Sequence, residues 1–156
     1  MPDASTPAIF RVRELEIRYR SPRFEIPIGE SLSDPASAAR VGAQLLRDAA
    51  TEIVLLLHLN VRRRAIGVHR IVGSTESVAV AIPEICRAVL LSNARALICV
   101  HNHLSGDPTP STDDHAFALR LRDAVRVLGM ELLDAIIVVD PADGPQYYSF
   151  QQEGLL

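Results

Sequence analysis

Ala96-Leu-Ile-Cys-Val100 is an apolar run that leads into His101-Asn-His103, then into Leu104-Ser-Gly-Asp-Pro-Thr-Pro110 and Ser111-Thr-Asp-Asp114. The apolar run predicts a buried strand, and residues two apart on a strand project from the same face. The two histidines would therefore point to one side of a sheet. The glycine and the two prolines predict a turn. After Ser111, apolar residues recur at helical spacing and predict a helix with one apolar face, formed by Phe117, Leu121, Ala124, Val125 and Leu128.

The spacing of these polar residues predicts a metal site made of His101, His103 and Asp114. Asp114 would lie on the first turn of the helix and face back toward the end of the strand. A catalytic zinc ion takes three protein ligands and keeps its fourth position for water, whose pKa it lowers to roughly 7. Two neutral imidazoles and one carboxylate leave the ion a net positive charge, so that it can also polarise a carbonyl group. One zinc ion per chain is the expected cofactor.

A structural interpretation of the same residues stands beside the metal site. Ser111-Thr-Asp-Asp114 is a Ser-x-x-Asp capping box, in which the hydroxyl and the acid satisfy free amides at a helix start. By itself that segment is better explained as a cap, and a lone His-x-His at a strand end is more often hydrogen-bonded structure. The two histidines, the turn, the serine and the acid at these offsets together favour the metal site.

The pattern His101-x-His103-x7-Ser111-x2-Asp114 resembles the signature of the JAMM (JAB/MPN) metallopeptidases, and the whole segment from His101 to Ser111 resembles their RadC-like branch. The resemblance covers residues 34–156. It implies an α/β domain with a JAB/MPN-like (cytidine-deaminase-like) fold, in which helices flank a mixed central sheet. Residues 1–33 are expected to form an N-terminal strand or arm.

The resemblance also implies a role for each site residue. His101, His103 and Asp114 would bind zinc, the Ser111 hydroxyl would stabilise the oxyanion, and an upstream glutamate would act as general base. Glu52 matches that position because it leads a strand-like run that ends at Leu59. General acid–base catalysis of this kind contributes roughly 100- to 10,000-fold in rate. The structural alternative for Glu52 is a solvated charge at the start of a strand.

Two features depart from the RadC-like pattern. Leu104 occupies a position where proline is usual, which would alter the turn or the cleft without changing a ligand. Typical RadC-like proteins also carry an N-terminal helix-hairpin-helix region associated with DNA, and we expect no such region in this sequence. The resemblance therefore implies the metallopeptidase domain and not a role in DNA repair.

These features together predict a cytoplasmic zinc metallopeptidase that hydrolyses peptide or isopeptide bonds. The resemblance suggests a ubiquitin-like protein as substrate, its extended C-terminal tail lying along a sheet edge, and by analogy a role in bacterial defence. Two alternatives remain open: a DNA-associated RadC-like factor, and a non-catalytic MPN-type scaffold. The oligomeric state is not indicated.

Composition narrows these classes only in part. The sequence has 156 residues, 48% of them hydrophobic, and a formal net charge of -3, whereas nucleic-acid binders are more often strongly basic. Its basic residues are all arginine and cluster at positions 11–23 and at Arg62-Arg-Arg64, the latter best explained as a solvated hairpin loop. The absence of lysine fits either a genomic bias or avoidance of lysine-directed conjugation. We predict no membrane span and no signal peptide.

The remaining segments predict alternating helices and strands. Residues 9–19 have strand-like alternation, Asp34-Pro35 predicts a helix start, and strands are expected at 52–59, 65–72, 132–139 and 146–150. Pro83 is expected to begin a second helix. Cys86 and Cys99 are expected to be core residues without a disulfide. The other histidines are interpreted as structural or solvated, namely His58, His69 and His115.

Overall fold

A computed structural model describes residues 31–72, 78–139 and 144–156, with no side chains for residues 78–81. The strand predicted at residues 9–19 and the arginine cluster at residues 11–23 lie outside the described residues. The division into an arm at 1–33 and a domain at 34–156 therefore stays a prediction.

The described residues form a mixed five-stranded sheet with three helices. In chain order the elements are α1 (Pro35–Leu46), β1 (Ile53–Leu59), β2 (Ala65–Val72), α2 (Val78–Ser92), β3 (Ala96–Asn102), α3 (Thr112–Val127), β4 (Glu131–Val139) and β5 (Gln146–Ser149). The order across the sheet is β2-β1-β3-β4-β5. Only β3 and β4 run parallel, and the other neighbours are antiparallel. The predicted α/β class with a mixed central sheet is confirmed.

Successive side chains of the central strands point to opposite faces of the sheet, so an apolar layer forms on each face. Helix α1 packs on one face against Leu55, Leu57 and Val100. Helices α2 and α3 pack on the other face against Leu56 and Cys99. Because β1 and β3 are almost entirely buried, their sequences are continuously apolar rather than alternating.

The start of α1 follows the sequence prediction, whereas the start of α2 does not. Asp34 caps α1 by accepting a 2.9 Å hydrogen bond from the Ser37 amide, and Pro35 is the first helical residue. Pro83 was expected to begin α2, but the helix begins at Val78 and contains Pro83. Pro83 is the sixth residue of α2, where its missing N–H removes one backbone hydrogen bond, and the helix nevertheless continues to Ser92.

Candidate metal centre

The polar residues of the predicted site meet at one end of the sheet. Strand β3 carries His101 on the face covered by α3, two residues beyond Cys99. The chain then turns through Gly106, which has a φ of 79° and therefore lies in the left-handed region that favours glycine. Helix α3 starts at Thr112 on the same face. A strand end and a helix start thus approach one another across a short turn.

His101, His103 and Asp114 converge to a single point. All three offer ligand atoms that lie within 4.8 Å of one another. His101 Nε2 lies 3.2 Å from His103 Nε2 and 3.0 Å from Asp114 Oδ1. His103 Nε2 lies 3.4 Å from Asp114 Oδ2. The side chains are 12–18% exposed, so the cluster is mostly buried but still in contact with solvent.

The nitrogen and oxygen atoms of this cluster are better suited to binding a cation than to forming hydrogen bonds with one another. His103 Nδ1 lies 2.9 Å from the Asp107 carbonyl oxygen, which can only accept, so Nδ1 carries the hydrogen and Nε2 of the neutral ring is a bare acceptor. A single hydrogen on His101 Nε2 can serve its contact with Asp114 or its contact with His103, but not both. The contact between His103 Nε2 and Asp114 Oδ2 joins acceptor to acceptor in either case. A cation between the three groups satisfies every contact.

The spacing also matches zinc. Ligand atoms about 2.0–2.1 Å from a tetrahedral zinc ion lie about 3.3–3.4 Å from one another. The three separations in the cluster, 3.0, 3.2 and 3.4 Å, are close to that value. Two histidines and one carboxylate would leave a fourth position for water or substrate, as catalytic zinc sites do.

Asp114 is held in the charged form that a metal ligand needs. Burial by itself would raise the pKa of its carboxyl group. Hydrogen bonds from the His101 side chain and from the side chain and backbone of Ser111 outweigh burial, so the pKa of Asp114 lies well below its usual range. The carboxylate is therefore anionic at neutral pH.

Ser111 forms the capping box that the sequence offered as the structural interpretation. Its hydroxyl accepts a hydrogen bond from the Asp114 amide at 3.1 Å and donates to Asp114 Oδ2 at 2.6 Å. The Ser111 amide also donates to Oδ2, at 2.7 Å. Asp114 is thus both part of the helix cap and a candidate metal ligand, and Ser111 fixes the orientation of its carboxylate.

Glu52 lies just before β1, half-buried and outside the three-residue cluster. Val54 pairs with His101 across the β1–β3 ladder, so the two side chains share a face. Strand alternation places Glu52, two residues before Val54, on that same face. The backbone thus brings Glu52 to the cluster's side of the sheet, as a base acting near the metal would require.

Sequence reasoning overlooked Asn102. This residue sits between the two histidines, is 8% exposed, and projects toward the opposite face. Its Oδ1 accepts from the Ile53 amide at 2.8 Å and its Nδ2 donates to the Thr51 carbonyl at 3.2 Å. A buried polar residue at the end of an apolar strand needs hydrogen-bond partners, and the sequence shows such a residue at position 102.

A small cavity of about 240 Å³ opens beside His103 on the α1 side of the sheet. Its walls are mostly apolar and include Leu46 and Val138, with Arg47 among the lining residues. Leu104, at the position where the RadC-like resemblance predicts proline, also lines the cavity and is 57% exposed. The substitution therefore falls at a cleft adjoining the cluster and leaves the ligand set unchanged.

The other histidines lie outside the cluster. His58 on β1 is 3% exposed, and neither of its ring nitrogens has a hydrogen-bond partner among the described residues. His69 on β2 lies 3.6 Å from Glu84 of α2. His115 on α3 packs edge-on against Phe150. The structural interpretation of these residues fits their positions, with His58 buried rather than solvated.

The cysteines and the arginine loop also lie apart from the cluster. Cys86 is half-buried and Cys99 is buried, and both are free thiols. Burial raises the pKa of Cys99 to about 12, so this thiol stays protonated two residues from His101. Arg62, Arg63 and Arg64 are exposed in the β1–β2 connection, as predicted for a solvated hairpin loop. No described helix has the length and apolar character needed to cross a membrane.

Comparison with known proteins agrees with this geometry. Residues 32–155 match the model of the RadC-like JAB domain. A UPF0758 protein of Xanthomonas oryzae pv. oryzae is 38% identical over 127 residues, which cover 81% of this chain and 56% of that protein. A UPF0758 protein of Thioalkalivibrio sulfidiphilus is 35% identical over 143 residues, covering 91% and 62%. The chain thus spans about three fifths of the length of these relatives. It belongs to the RadC-like JAB domain family.

Proposed function

We propose that this protein is a zinc-dependent hydrolase of peptide or isopeptide bonds. The observation that carries the proposal is the convergence of two imidazole nitrogens and one carboxylate at separations of 3.0–3.4 Å, in a domain of the RadC-like JAB family. A bound zinc ion would polarise the scissile carbonyl and lower the pKa of the attacking water. His101, His103 and Asp114 would hold the ion.

Glu52 is the proposed general base. It would accept a proton from the attacking water and deliver that proton to the leaving amine. Its place on the histidine face, outside the ligand set, supports this role, because a base must reach the water without occupying a metal position. The β1–β3 ladder begins two residues after Glu52, at the pair Val54 and His101, and ties the adjacent backbone to the strand of the histidines.

Ser111 is the proposed oxyanion donor. Its one hydroxyl hydrogen is given to Asp114 Oδ2, so donation to a developing oxyanion requires the hydroxyl to turn. The Ser111 backbone amide still holds Oδ2 when this happens. The serine can therefore change partner without releasing the carboxylate.

An extended C-terminal tail of a ubiquitin-like protein is the proposed substrate. Strand β2 is an edge strand of the described sheet, and its last residue Val72 pairs with Ile53, next to Glu52. A tail added along β2 would run toward the end of the sheet where the cluster lies. The exposed side chains of Ile66 and Val72 offer apolar contacts on this edge. A role of such cleavage in bacterial defence, in the cytoplasm, stays a prediction of the resemblance.

The alternative of a DNA-associated factor finds less support. The exposed loop of Arg62, Arg63 and Arg64 follows the far end of β1 from Glu52, roughly 20 Å along a seven-residue strand. Phosphate binding there would not use the histidine cluster. A non-catalytic scaffold would not require three converging metal donors, so the cluster also favours the enzyme.

The test is cleavage of a panel of ubiquitin-like proteins that carry C-terminal extensions. We expect the zinc-loaded protein to cut after the tail, and expect the activity to disappear on chelation. Glu52→Gln should bind one zinc ion per chain and lose at least about 100-fold in turnover. One zinc ion per chain with no cleavage of any substrate would refute the hydrolase, and DNA binding that weakens steeply with salt would support the alternative.

A further inference from the structure

We propose that Asn102 is a positioning residue that fixes Glu52 for the reaction proposed above, on which this inference rests. Asn102 lies between the two candidate histidine ligands, and its side chain bonds to the residues on either side of Glu52. Asn102 Oδ1 accepts a hydrogen bond from the Ile53 amide at 2.8 Å, and Asn102 Nδ2 donates one to the Thr51 carbonyl at 3.2 Å. Glu52 is therefore bracketed by one carboxamide.

The position of these two bonds in the sheet explains why a side chain is needed. The β1–β3 pairing ends at Val54 and His101. Beyond that pair the backbone strands no longer bond to each other, and the Asn102 carboxamide takes over. It extends the connection between the strands to the residues immediately before and after Glu52. The segment that carries the proposed base is thus tied to the strand that carries the proposed ligands.

The chemistry of the bracket is specific to asparagine. The Ile53 amide needs an acceptor and the Thr51 carbonyl needs a donor, so the orientation of the carboxamide is determined by its partners. Aspartate would keep the acceptor but set a carboxylate oxygen against the Thr51 carbonyl. Alanine would leave both backbone groups without their partner. Asn102 is 8% exposed, so water cannot easily replace either bond.

Asn102 is also anchored on its other side. Its backbone pairs with Val138 of β4, in the interior of the sheet. Strand alternation directs its side chain to the face opposite His101 and His103. A change at Asn102 should therefore move Glu52 without removing a metal ligand, which separates its effect on the base from any effect on metal binding.

The first measurement uses the metal-free protein and does not depend on activity. Amide hydrogen exchange is compared for Ile53 and for Leu57, which lies further along β1. Asn102→Ala should speed exchange at Ile53 at least about 10-fold more than at Leu57. Asn102→Asp should protect Ile53 better than alanine does, because it keeps the acceptor. Equal acceleration at both amides would show general loosening of the strand and would overturn the bracket.

The second measurement is a double-mutant cycle on turnover of the zinc-loaded protein. Asn102→Ala should lower kcat by about 10- to 100-fold with little change in KM or in zinc stoichiometry, since a misplaced base loses most of its contribution. In a Glu52→Gln background the same substitution should have almost no further effect. An equal loss in both backgrounds would overturn the positioning role.

A matched control separates positioning from simple destabilisation. Ser149→Ala removes a different buried side-chain hydrogen bond, in which the hydroxyl of Ser149 on β5 donates to Asp134 at 2.6 Å. It should lower stability and leave kcat unchanged. If Asn102→Ala does not fold, the cycle is run with Asn102→Asp, which should give a smaller loss of the same kind. No cleavage by the wild-type protein would refute the proposed function and the positioning role with it, whereas cleavage with an additive cycle would refute only the latter.

Discussion

Ser111 belongs both to a helix cap and to a candidate reaction site, and its substitution separates the two roles. Ser111→Ala should lower kcat by about 100- to 1,000-fold if the hydroxyl stabilises the oxyanion. It should cost about 1 kcal/mol in stability through loss of the cap. Zinc stoichiometry should be retained, because the backbone amide of residue 111 still holds Asp114. Steady-state kinetics and urea unfolding measure the two effects.

Ser111→Thr is the matched control, since threonine keeps both the hydroxyl and the ability to cap a helix. It should restore most of the stability and a large part of kcat. Full activity in Ser111→Ala would show that the serine serves only to cap α3 and to orient Asp114.

His58 predicts a pH dependence of stability. Burial lowers its pKa to about 4, with a smaller contribution from His69, from an ordinary value of 6.5. The unfolded chain therefore binds this proton more readily than the folded chain. Stability contributed by neutral His58 is complete above pH 6.5 and is lost as the pH falls toward 4, by about 3 kcal/mol in total. Urea unfolding of chelated protein between pH 7 and pH 4 measures this loss.

His58→Leu should remove that part of the pH dependence. Leucine also leaves no ring nitrogen without a partner, so the variant should be at least as stable as the wild-type protein at pH 7. The nearby titratable groups His69 and Glu84 are unchanged in this comparison. Parallel stability curves for the two proteins between pH 7 and pH 4 would contradict the assignment.

Helix α1 lies close to Val100 of β3 at Gly42, and this contact determines whether alanine at position 42 stabilises or destabilises the protein. Alanine normally stabilises a helix interior relative to glycine by about 1 kcal/mol. At Gly42 an added Cβ would meet Val100 Cγ1 at 2.5 Å and Val100 Cβ at 3.2 Å. Gly42→Ala should therefore destabilise the protein by about 1–3 kcal/mol through overpacking. Thermal and urea unfolding measure the change.

Gln44→Ala is the matched control, because Gln44 is exposed on the same helix. It should leave stability unchanged or raise it slightly. Gly42→Ala also pushes on the residue before His101, so its zinc affinity should fall relative to Gln44→Ala. Equal stability of the two variants would mean that α1 can move away from β3 without cost.

At the level of elements, the local sequence predicted most of the helices and strands. The apolar run before His101 predicted β3, and the capping box at Ser111 predicted the start of α3, because both signals lie within the segments themselves. The predicted start of α2 was wrong, because the preference of proline for the first helical position is only a tendency, and Pro83 lies at the sixth position of this helix.

At the level of the whole molecule, predictability depended on distance along the chain. The cluster of His101, His103 and Asp114 was predictable because one strand, one turn and one helix start bring it together. The bracket of Asn102 around Glu52 was not, because it requires that β1 pair antiparallel with β3. Local patterns identify strands but do not state which strands are neighbours. The family resemblance pointed to Glu52, and the structure identified the residue that bonds to the backbone on either side of it.

Metal binding should be coupled to folding of the whole domain, because the cluster joins β3 to the start of α3 and exists only in the folded chain. Zinc at about 100 times its dissociation constant should raise the free energy of unfolding by about 2.7 kcal/mol. Chelation should reverse the increase. Urea unfolding with zinc and with chelator measures the difference.

Two neighbouring acids provide the control for this coupling. Asp114→Asn removes the charge from the cluster and should abolish most of the zinc-dependent stabilisation, because a neutral amide is a much poorer zinc ligand. Asp113→Asn changes an exposed acid in the same helical turn and should leave the stabilisation intact. An equal zinc effect in both variants would place the metal elsewhere. Loss of the effect in Asp114→Asn alone would tie the stability of the domain to the three groups that meet at the end of β3.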